Sequence, residues 1–536
     1  MEKGQIIEEI QAGNTSLGIE FGSTNIKAVL IASDYSVVAT GSHGWENKLE
    51  NGVWTYSLED IWSGLQDAYS KLSGQIKNEY GVELTKLRSM GIAAMMHGYM
   101  SFNAQGDLLV PFRTWRNAMT EDAALQLTHL FNFNIPERWS IAHLYQAVLN
   151  QETHVKDVDF ITTLAGYVHW KLSGEKVLGV GDASGVFPID ELSHDYNQDM
   201  MDKFNGLKAI KQYHWSLPEI LPAVKVAGEQ AGTLTAEGAK LLDVSGKLQP
   251  GTVMAPPEGD AGTGMVSTNS VKQRTGNVSA GTSAFAMIVL EKSLKKLHTS
   301  IDMVTTPDGS AVAMVHANNS SSDINAWAGL FNEFAQMIGV DLAPDELYGH
   351  LFNSILNADP DTSGILSYGY YSGENITGMS EGRPVLARMP NSKFNIGNLM
   401  RTNLYSAFGA MKIGMDILHD EEVETDSIVA QGGIFKTPIV GQKMLAAAME
   451  APVTVMKTAG EGGPWGMAIL AAYAAADTNK DLASYLEEEV FFDQERSTIE
   501  PDAKDVNGFN RFMERYKAGL PIEAHAVATL KDQNEG

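Results

Sequence analysis

Two stretches share one pattern of apolar and polar positions: an apolar strand, a turn of glycine and hydroxyl residues, then a second apolar strand. Residues 17–31 read Leu-Gly-Ile-Glu-Phe-Gly-Ser-Thr-Asn-Ile-Lys-Ala-Val-Leu-Ile, and residues 277–290 read Asn-Val-Ser-Ala-Gly-Thr-Ser-Ala-Phe-Ala-Met-Ile-Val-Leu. Each predicts a hairpin whose glycine lets the backbone come close to an anion and whose hydroxyls add donors. One such hairpin in each half of the chain predicts two related domains with a nucleotide between them. Elsewhere helical and strand patterns alternate. Residues 57–79 place Leu58, Ile61, Trp62, Leu65, Ala68, Tyr69 and Leu72 on one helical face, and residues 87–96 then read as a buried strand. That order is α/β.

Further along, residues 217–251 carry Gly228, Gly232, Gly246 and Gly251 and predict short strands and turns leading into Glu258-Gly-Asp-Ala-Gly-Thr-Gly264. Residues 265–274 are polar and unpatterned, which makes them the linker candidate. The second half passes a loop-rich section at 363–391, a long helical pattern at 396–418, and a strand at 427–430 that runs into Gly432-Gly433. Beyond about Asp477 the pattern is charged and helical, and predicts a peripheral tail.

Composition narrows the function classes. At 536 residues the chain exceeds what one hydrophobic core organises, so two domains are expected. The apolar run at 467–476 is about half of the ~20 residues a membrane span needs. The N-terminus is acidic and helical in pattern, unlike a secretory signal. Without cysteine there are no disulfides, zinc fingers or iron–sulfur ligation, which fits a cytoplasmic enzyme. A formal charge of −27 repels nucleic acid and anionic membranes, so an anionic substrate needs local neutralisation, most simply by Mg²⁺.

Six ordered motifs resemble the FGGY carbohydrate kinases over roughly residues 17–476. The first hairpin is similar to that family's Asp-x-Gly-Thr-Thr turn, and Met96-His97-Gly98 with Trp115-Arg116-Asn117 resembles the sugar-contacting segment of its ketopentose kinases. Gly181-Asp-Ala-Ser-Gly185 resembles its Asp-Ala-Ser-Gly stretch, and Gly259-Asp260-Ala261 its Gly-Asp segment. Gly281-Thr282-Ser283 resembles the second phosphate turn, and Gln431-Gly432-Gly433 the turn beneath the adenosine.

The resemblance implies two actin-like, ribonuclease H-like α/β domains with an interdomain cleft for ATP and sugar. It divides the chain into an N-terminal extension (1–16), an N-terminal domain holding sugar and base (17–268), a C-terminal nucleotide domain (269–480) and a helical tail (481–536). Asp260 is implied as the catalytic base. Met96, His97, Gly98, Trp115, Asp260 and Ala261 would contact the sugar. Gly22, Ser23, Thr24, Asn25, Lys27, Gly281, Thr282, Ser283, Gln431, Gly432 and Gly433 would bind ATP, and Glu20 with Asp260 would hold Mg²⁺. The implied activity is phosphorylation of a ketopentose, D-xylulose or L-ribulose, with small-molecule partners and a homodimer left open.

Phosphoryl transfer asks for neutralised phosphate charge and a carboxylate that accepts the hydroxyl proton. Asp182 is the rival to Asp260 for that role. Two departures from the family pattern stand out. Glu20 occupies a position where the family has Asp, which moves the carboxylate by about one bond length, and Mg²⁺ tolerates poor geometry badly. Pro257-Glu258 precedes the Gly-Asp pair, and Glu258 could raise the pKa of the base by like-charge repulsion. His143 reads as either a sugar contact or a core histidine.

Other classes fit less well. Gly179-Val-Gly181-Asp-Ala-Ser-Gly185 has the wrong spacing for a dinucleotide fingerprint, and Pro188 interrupts the helix one would open. An actin-like chaperone needs a peptide-binding module for which the chain after Asp477 is too short and polar. A noncatalytic sugar and nucleotide sensor on the kinase fold is the remaining alternative, beside a kinase for another sugar or polyol.

Overall fold

Strands Ser16–Phe21 and Asn25–Ile31 pair antiparallel, with Glu20 opposite Lys27, as the pattern of residues 17–31 predicts. Around this hairpin the computed structural model, which describes residues 1–456 and 462–531, builds the first of two units. It comprises Met1–Lys272, Asp302–Val312 and Gly460–Asp493; the second comprises Gln273–Ile301, Ala313–Ala459 and Gln494–Gly536.

In the first unit, Val37–Gly44 extends the hairpin on one side. On the other side Ser89–Ala94 lies parallel to Ser16–Phe21 and also takes Val253–Met254 and Glu258–Gly259 in parallel. Helices cover both faces, as buried parallel strands require. Helix Leu58–Tyr80 begins at Ser57, whose hydroxyl accepts the Asp60 amide at 3.0 Å, and stops at left-handed Gly81. It buries Ile61, Leu65, Ala68, Tyr69, Leu72 and Ile76, each contributing on the order of 1–3 kcal/mol of transfer free energy. Helix Gly462–Ala474 packs on the opposite face, buried from Pro464 to Ala474. It comes so close that a Cβ on Gly18 would stand 2.0 Å from the Pro464 carbonyl oxygen. Replacing Gly18 would push helix from sheet.

In the second unit the second hairpin, Thr275–Ala280 with Ala284–Val289, is again antiparallel. Thr275–Ala280 runs parallel to Ser427–Gln431, which lies parallel to Val453–Met456, and Arg496–Ile499 closes that side antiparallel. Helix Ile396–Asp420 realises the long pattern at 396–418 and is buried over most of its length.

The domain plan differs from the expectation in three places. The extension is part of the first unit, because helix Lys3–Ala12 inserts Ile10 into its core. Residues 302–312 and 462–480, expected in the C-terminal domain, and residues 481–493, expected in the tail, also belong to the first unit. The tail beyond 480 is not peripheral. Its strand Arg496–Ile499 completes the second unit's sheet, and helix Ala503–Thr529 buries Phe509, Phe512 and Tyr516 against helix Ile396–Asp420. Aromatic residues three to four apart make that stripe, and the charges between them hide it. The Arg401–Asp505 ion pair pins the two helices in the interior. Among the described residues, no helix is long and apolar enough to cross a membrane.

Candidate functional site

Strand Ser89–Ala94 opens at its C-terminal end into Met96-His97-Gly98, the usual place for ligand contacts in an α/β sheet. The chain turns there through two left-handed residues, His97 with φ 70° and Gly98 with φ 84°. A non-glycine residue held at positive φ is uncommon and points to a constrained loop. The constraint is visible: the Gly98 amide donates to the Arg138 carbonyl at 3.2 Å, and the Ser140 hydroxyl donates to the Gly98 carbonyl.

Two motif glycines clear space for this loop. A Cβ on Gly185 would lie 2.5 Å from His97 Nδ1, and one on Gly259 would lie 2.2 Å from Met96 Cγ. The Asp-Ala-Ser-Gly and Gly-Asp motifs are thus partly devices for seating Met96 and His97. His97 is 6% exposed and stacks on Trp139, with Nδ1 at 3.4 Å from the Gly185 carbonyl. A carbonyl can only accept, so the proton sits on Nδ1 and Nε2 is left as an acceptor. Burial, and then the positive charge of Arg138, hold the imidazole pKa well below its ordinary value. Arg138 itself pairs with Asp302. Trp115 is 41% exposed, as a platform would be, on a loop that Asn117 fastens to Trp54 through bonds of 2.8 and 2.9 Å.

Asp260 is the first residue of helix Asp260–Ser267, directly after Glu258–Gly259. Its Oδ1 accepts the Met96 amide at 3.3 Å and the Ala261 amide at 3.0 Å. Among the described residues no donor reaches Oδ2. The residue keeps surface open to solvent, yet protein crowds the carboxylate and raises its pKa by desolvation.

Asp182 is wholly buried instead, with Oδ2 accepting from the Thr163 hydroxyl at 2.6 Å and a pKa pushed up to about 7 by burial. Glu258 also points away from Asp260. It accepts the Asp182 amide at 3.1 Å and the Gly181 amide at 3.4 Å, and burial, then the charge of Asp182, raises its pKa. The expected like-charge effect of Glu258 is therefore not what raises the Asp260 pKa.

Glu20 is raised to about 7 by burial and then by Asp260, with Lys27 acting in the opposite sense. Its carboxylate packs on the first turn of helix Gly462–Ala474, where a Cβ on Gly463 would stand 2.3 Å from Oε1. Glu20 and Asp260 offer hard oxygen donors, and the charge of Asp260 raises the Glu20 pKa, an arrangement that suits a divalent cation such as Mg²⁺. No group of three acidic or imidazole side chains among the described residues could enclose one, so water and phosphate oxygens would complete the shell. Thr24 and Lys27 are exposed at the first turn, where the Gly22 amide donates to the Asn25 carbonyl at 2.9 Å. His143 takes the core reading: it is fully buried on helix Ser140–Leu149, neither ring nitrogen has a hydrogen-bond partner, and burial lowers its pKa to about 3.

In the second unit, Gly281 and Gly433 line one cavity of about 480 Å³, so the Gly281-Thr282-Ser283 and Gln431-Gly432-Gly433 turns share a pocket. Gly432 makes this possible: its φ is 116°, and a Cβ there would stand 2.1 Å from the Ala280 carbonyl oxygen. Pocket residues that sequence reasoning missed include Asn325, Pro344 and Tyr348, with the Tyr348 hydroxyl donating to Asn325 Oδ1 at 2.8 Å. They lie on helices Ser322–Met337 and Pro344–Ser354, which carry no motif.

These features define a carbohydrate kinase of the actin-like α/β fold. The models of the N- and C-terminal domains of the FGGY family of carbohydrate kinases match residues 15–247 and 276–475. The chain belongs to that family. It is 21% identical over 517 residues to a xylulose kinase of Haemophilus influenzae, covering 94% of this chain and 99% of that protein. Its fold matches a xylulose kinase from Rhodospirillum rubrum with TM-score 0.75 and 16% identity, covering 95% and 98% of the two chains. A gluconate kinase from Lactobacillus acidophilus matches with TM-score 0.76 and 16% identity, covering 96% and 98%.

Proposed function

We propose that this carbohydrate kinase transfers the γ-phosphoryl group of ATP to the terminal hydroxyl of a ketopentose in the cytoplasm, with D-xylulose the first substrate to test and L-ribulose the second. The observation that carries the reading is the free Oδ2 of Asp260, held beside the Met96-His97-Gly98 loop through the Met96 amide. That oxygen takes the hydroxyl proton as the sugar oxygen bonds to phosphorus and ADP leaves with the bonding electron pair. Crowding that raises the Asp260 pKa makes it a better proton acceptor. Glu20 and Asp260 would hold Mg²⁺, which when bound neutralises phosphate charge.

His97 supports a neutral polyhydroxy substrate. Its Nε2, left as an acceptor, takes a hydrogen bond from a hydroxyl but repels a carboxylate, which disfavours an aldonate such as gluconate. A noncatalytic sensor has no use for an unengaged carboxylate oxygen at this position, whereas a phosphotransferase needs one. ADP release measured over ketopentoses, aldopentoses, polyols, glycerol and gluconate tests the reading. Ketopentose-dependent ADP release is the expected result, and sugar and nucleotide binding without ADP release would make the chain a sensor.

A further inference from the structure

The first phosphate turn is gripped from behind. Trp45 Nε1 donates to the Gly22 carbonyl at 2.7 Å, the Tyr56 hydroxyl to the Ser23 carbonyl at 2.7 Å, and the Trp45 amide to the Thr24 carbonyl at 3.1 Å. Three successive carbonyls are thereby drawn toward one aromatic bracket. The bracket is rigid: Trp45 and Tyr56 stack at 4.0 Å, Phe21 and Phe112 close its two ends, and Tyr56 is 2% exposed.

In a trans peptide the N–H points opposite to the C=O of the same unit. Tying the Gly22 and Ser23 carbonyls to the bracket therefore turns the Ser23 and Thr24 amides the other way, and neither amide donates to any acceptor among the described residues. Outward-facing amides in a tight turn form an anion cradle. We infer that Trp45 and Tyr56 are positioning residues for phosphoryl transfer, fixing the Ser23 and Thr24 amides on the terminal phosphate of ATP; this rests on the kinase reading above.

The bracket also reaches the sugar loop. Tyr56 directly follows strand Val53–Thr55, whose Trp54 carbonyl accepts from Asn117 and from Thr114 beside Trp115. Sugar loop and phosphate turn thus hang from one strand. Burial raises the Tyr56 hydroxyl to about 12, so it stays a donor at neutral pH.

Each hydrogen bond removed should weaken the cradle without unfolding it. Tyr56→Phe deletes only the hydroxyl, Trp45→Phe removes Nε1 while keeping an aromatic ring, and Trp62→Phe, which loses a bond to Tyr167 elsewhere in the unit, is the control. Titrate wild type and all three variants with Mg²⁺-bound AMPPNP and with ADP, record melting temperatures, and measure kcat with the best ketopentose of the wild type.

For Tyr56→Phe and Trp45→Phe the AMPPNP dissociation constant should rise about 5- to 30-fold and kcat should fall by a similar factor. The ADP constant should change by less than about threefold, because the diphosphate lacks the group the cradle holds. A bracket that merely stabilises the fold would lower all three variants' melting temperatures alike and weaken both nucleotides alike, and that result overturns the inference, as does an unchanged AMPPNP constant. Wild-type protein that binds AMPPNP yet releases no ADP with any sugar sinks the kinase reading, while the split between the two nucleotides still decides the role of the bracket. Protein that binds neither nucleotide sinks both.

Discussion

Glu20 and Lys27 stand directly opposite one another across the first hairpin, one acid and one base on the same face of the sheet. Lys27 opposes the rise in the Glu20 pKa that burial and Asp260 cause. If Glu20 holds Mg²⁺, Glu20→Gln should raise the Mg²⁺ concentration for half-maximal rate by about tenfold or more and change the sugar KM by less than about twofold. Titrating metal and sugar separately in both proteins checks this. An unchanged Mg²⁺ requirement would make Glu20 a structural acid against helix Gly462–Ala474.

Asp260→Asn retains an acceptor for the Met96 and Ala261 amides but loses basicity at Oδ2. The expected loss is ~10²–10⁴ in kcat with nucleotide affinity largely retained. Steady-state kinetics on a variant with a native circular dichroism spectrum decides it. Activity within a few-fold of wild type would remove Asp260 from the reaction, and burial of Asp182 leaves that residue a poor substitute.

His97→Phe should raise the sugar KM by about tenfold or more and leave the ATP KM within about twofold, since only the hydroxyl acceptor is lost. Because burial and Arg138 lower the His97 pKa, the ring is neutral throughout the neutral range. In the wild type the sugar KM should consequently stay flat between about pH 6 and 8, where an ordinary histidine titrates. A KM that climbs with protonation near pH 6.5 would show that His97 is not held neutral.

Acid stability provides a separate test. His143 is neutral when folded down to about pH 3, whereas in the unfolded chain it protonates near pH 6.5 as an ordinary histidine does. Its contribution is intact above pH 6.5 and is lost progressively as pH falls toward 3, because only the unfolded state gains the proton. Melting temperatures of wild type and His143→Phe, measured from pH 7 to 4, should diverge in favour of the variant as pH drops. Parallel curves would mean that the ring finds a proton-stabilising partner in the folded chain.

Local pattern made both hairpins and helix Leu58–Tyr80 legible, because each depends on neighbours in sequence. The Met96-His97-Gly98 loop was legible by its motif, although Arg138, Ser140, Gly185 and Gly259 seat it from far along the chain. Glu258 shows where that stops: its carboxylate serves Gly181 and Asp182, 77 and 76 positions away along the chain, and nothing near Pro257 signals this. Trp45 and Tyr56 read as ordinary aromatic residues, since the carbonyls they bind belong to backbone and leave no residue signature. The cavity wall at Asn325 and Tyr348 was hidden for the same reason, on helices whose faces are chosen by tertiary packing.

The interleaved pieces of the first unit impose an order on synthesis. Its first strand, Ser16–Phe21, leaves the ribosome about 440 residues before helix Gly462–Ala474, which covers it. At ordinary elongation rates the wait is roughly half a minute to a minute and a half. Through that interval the apolar face of the hairpin that carries Glu20 has no lid, so nascent chains are exposed to aggregation and to chaperone capture until helix Gly462–Ala474 emerges.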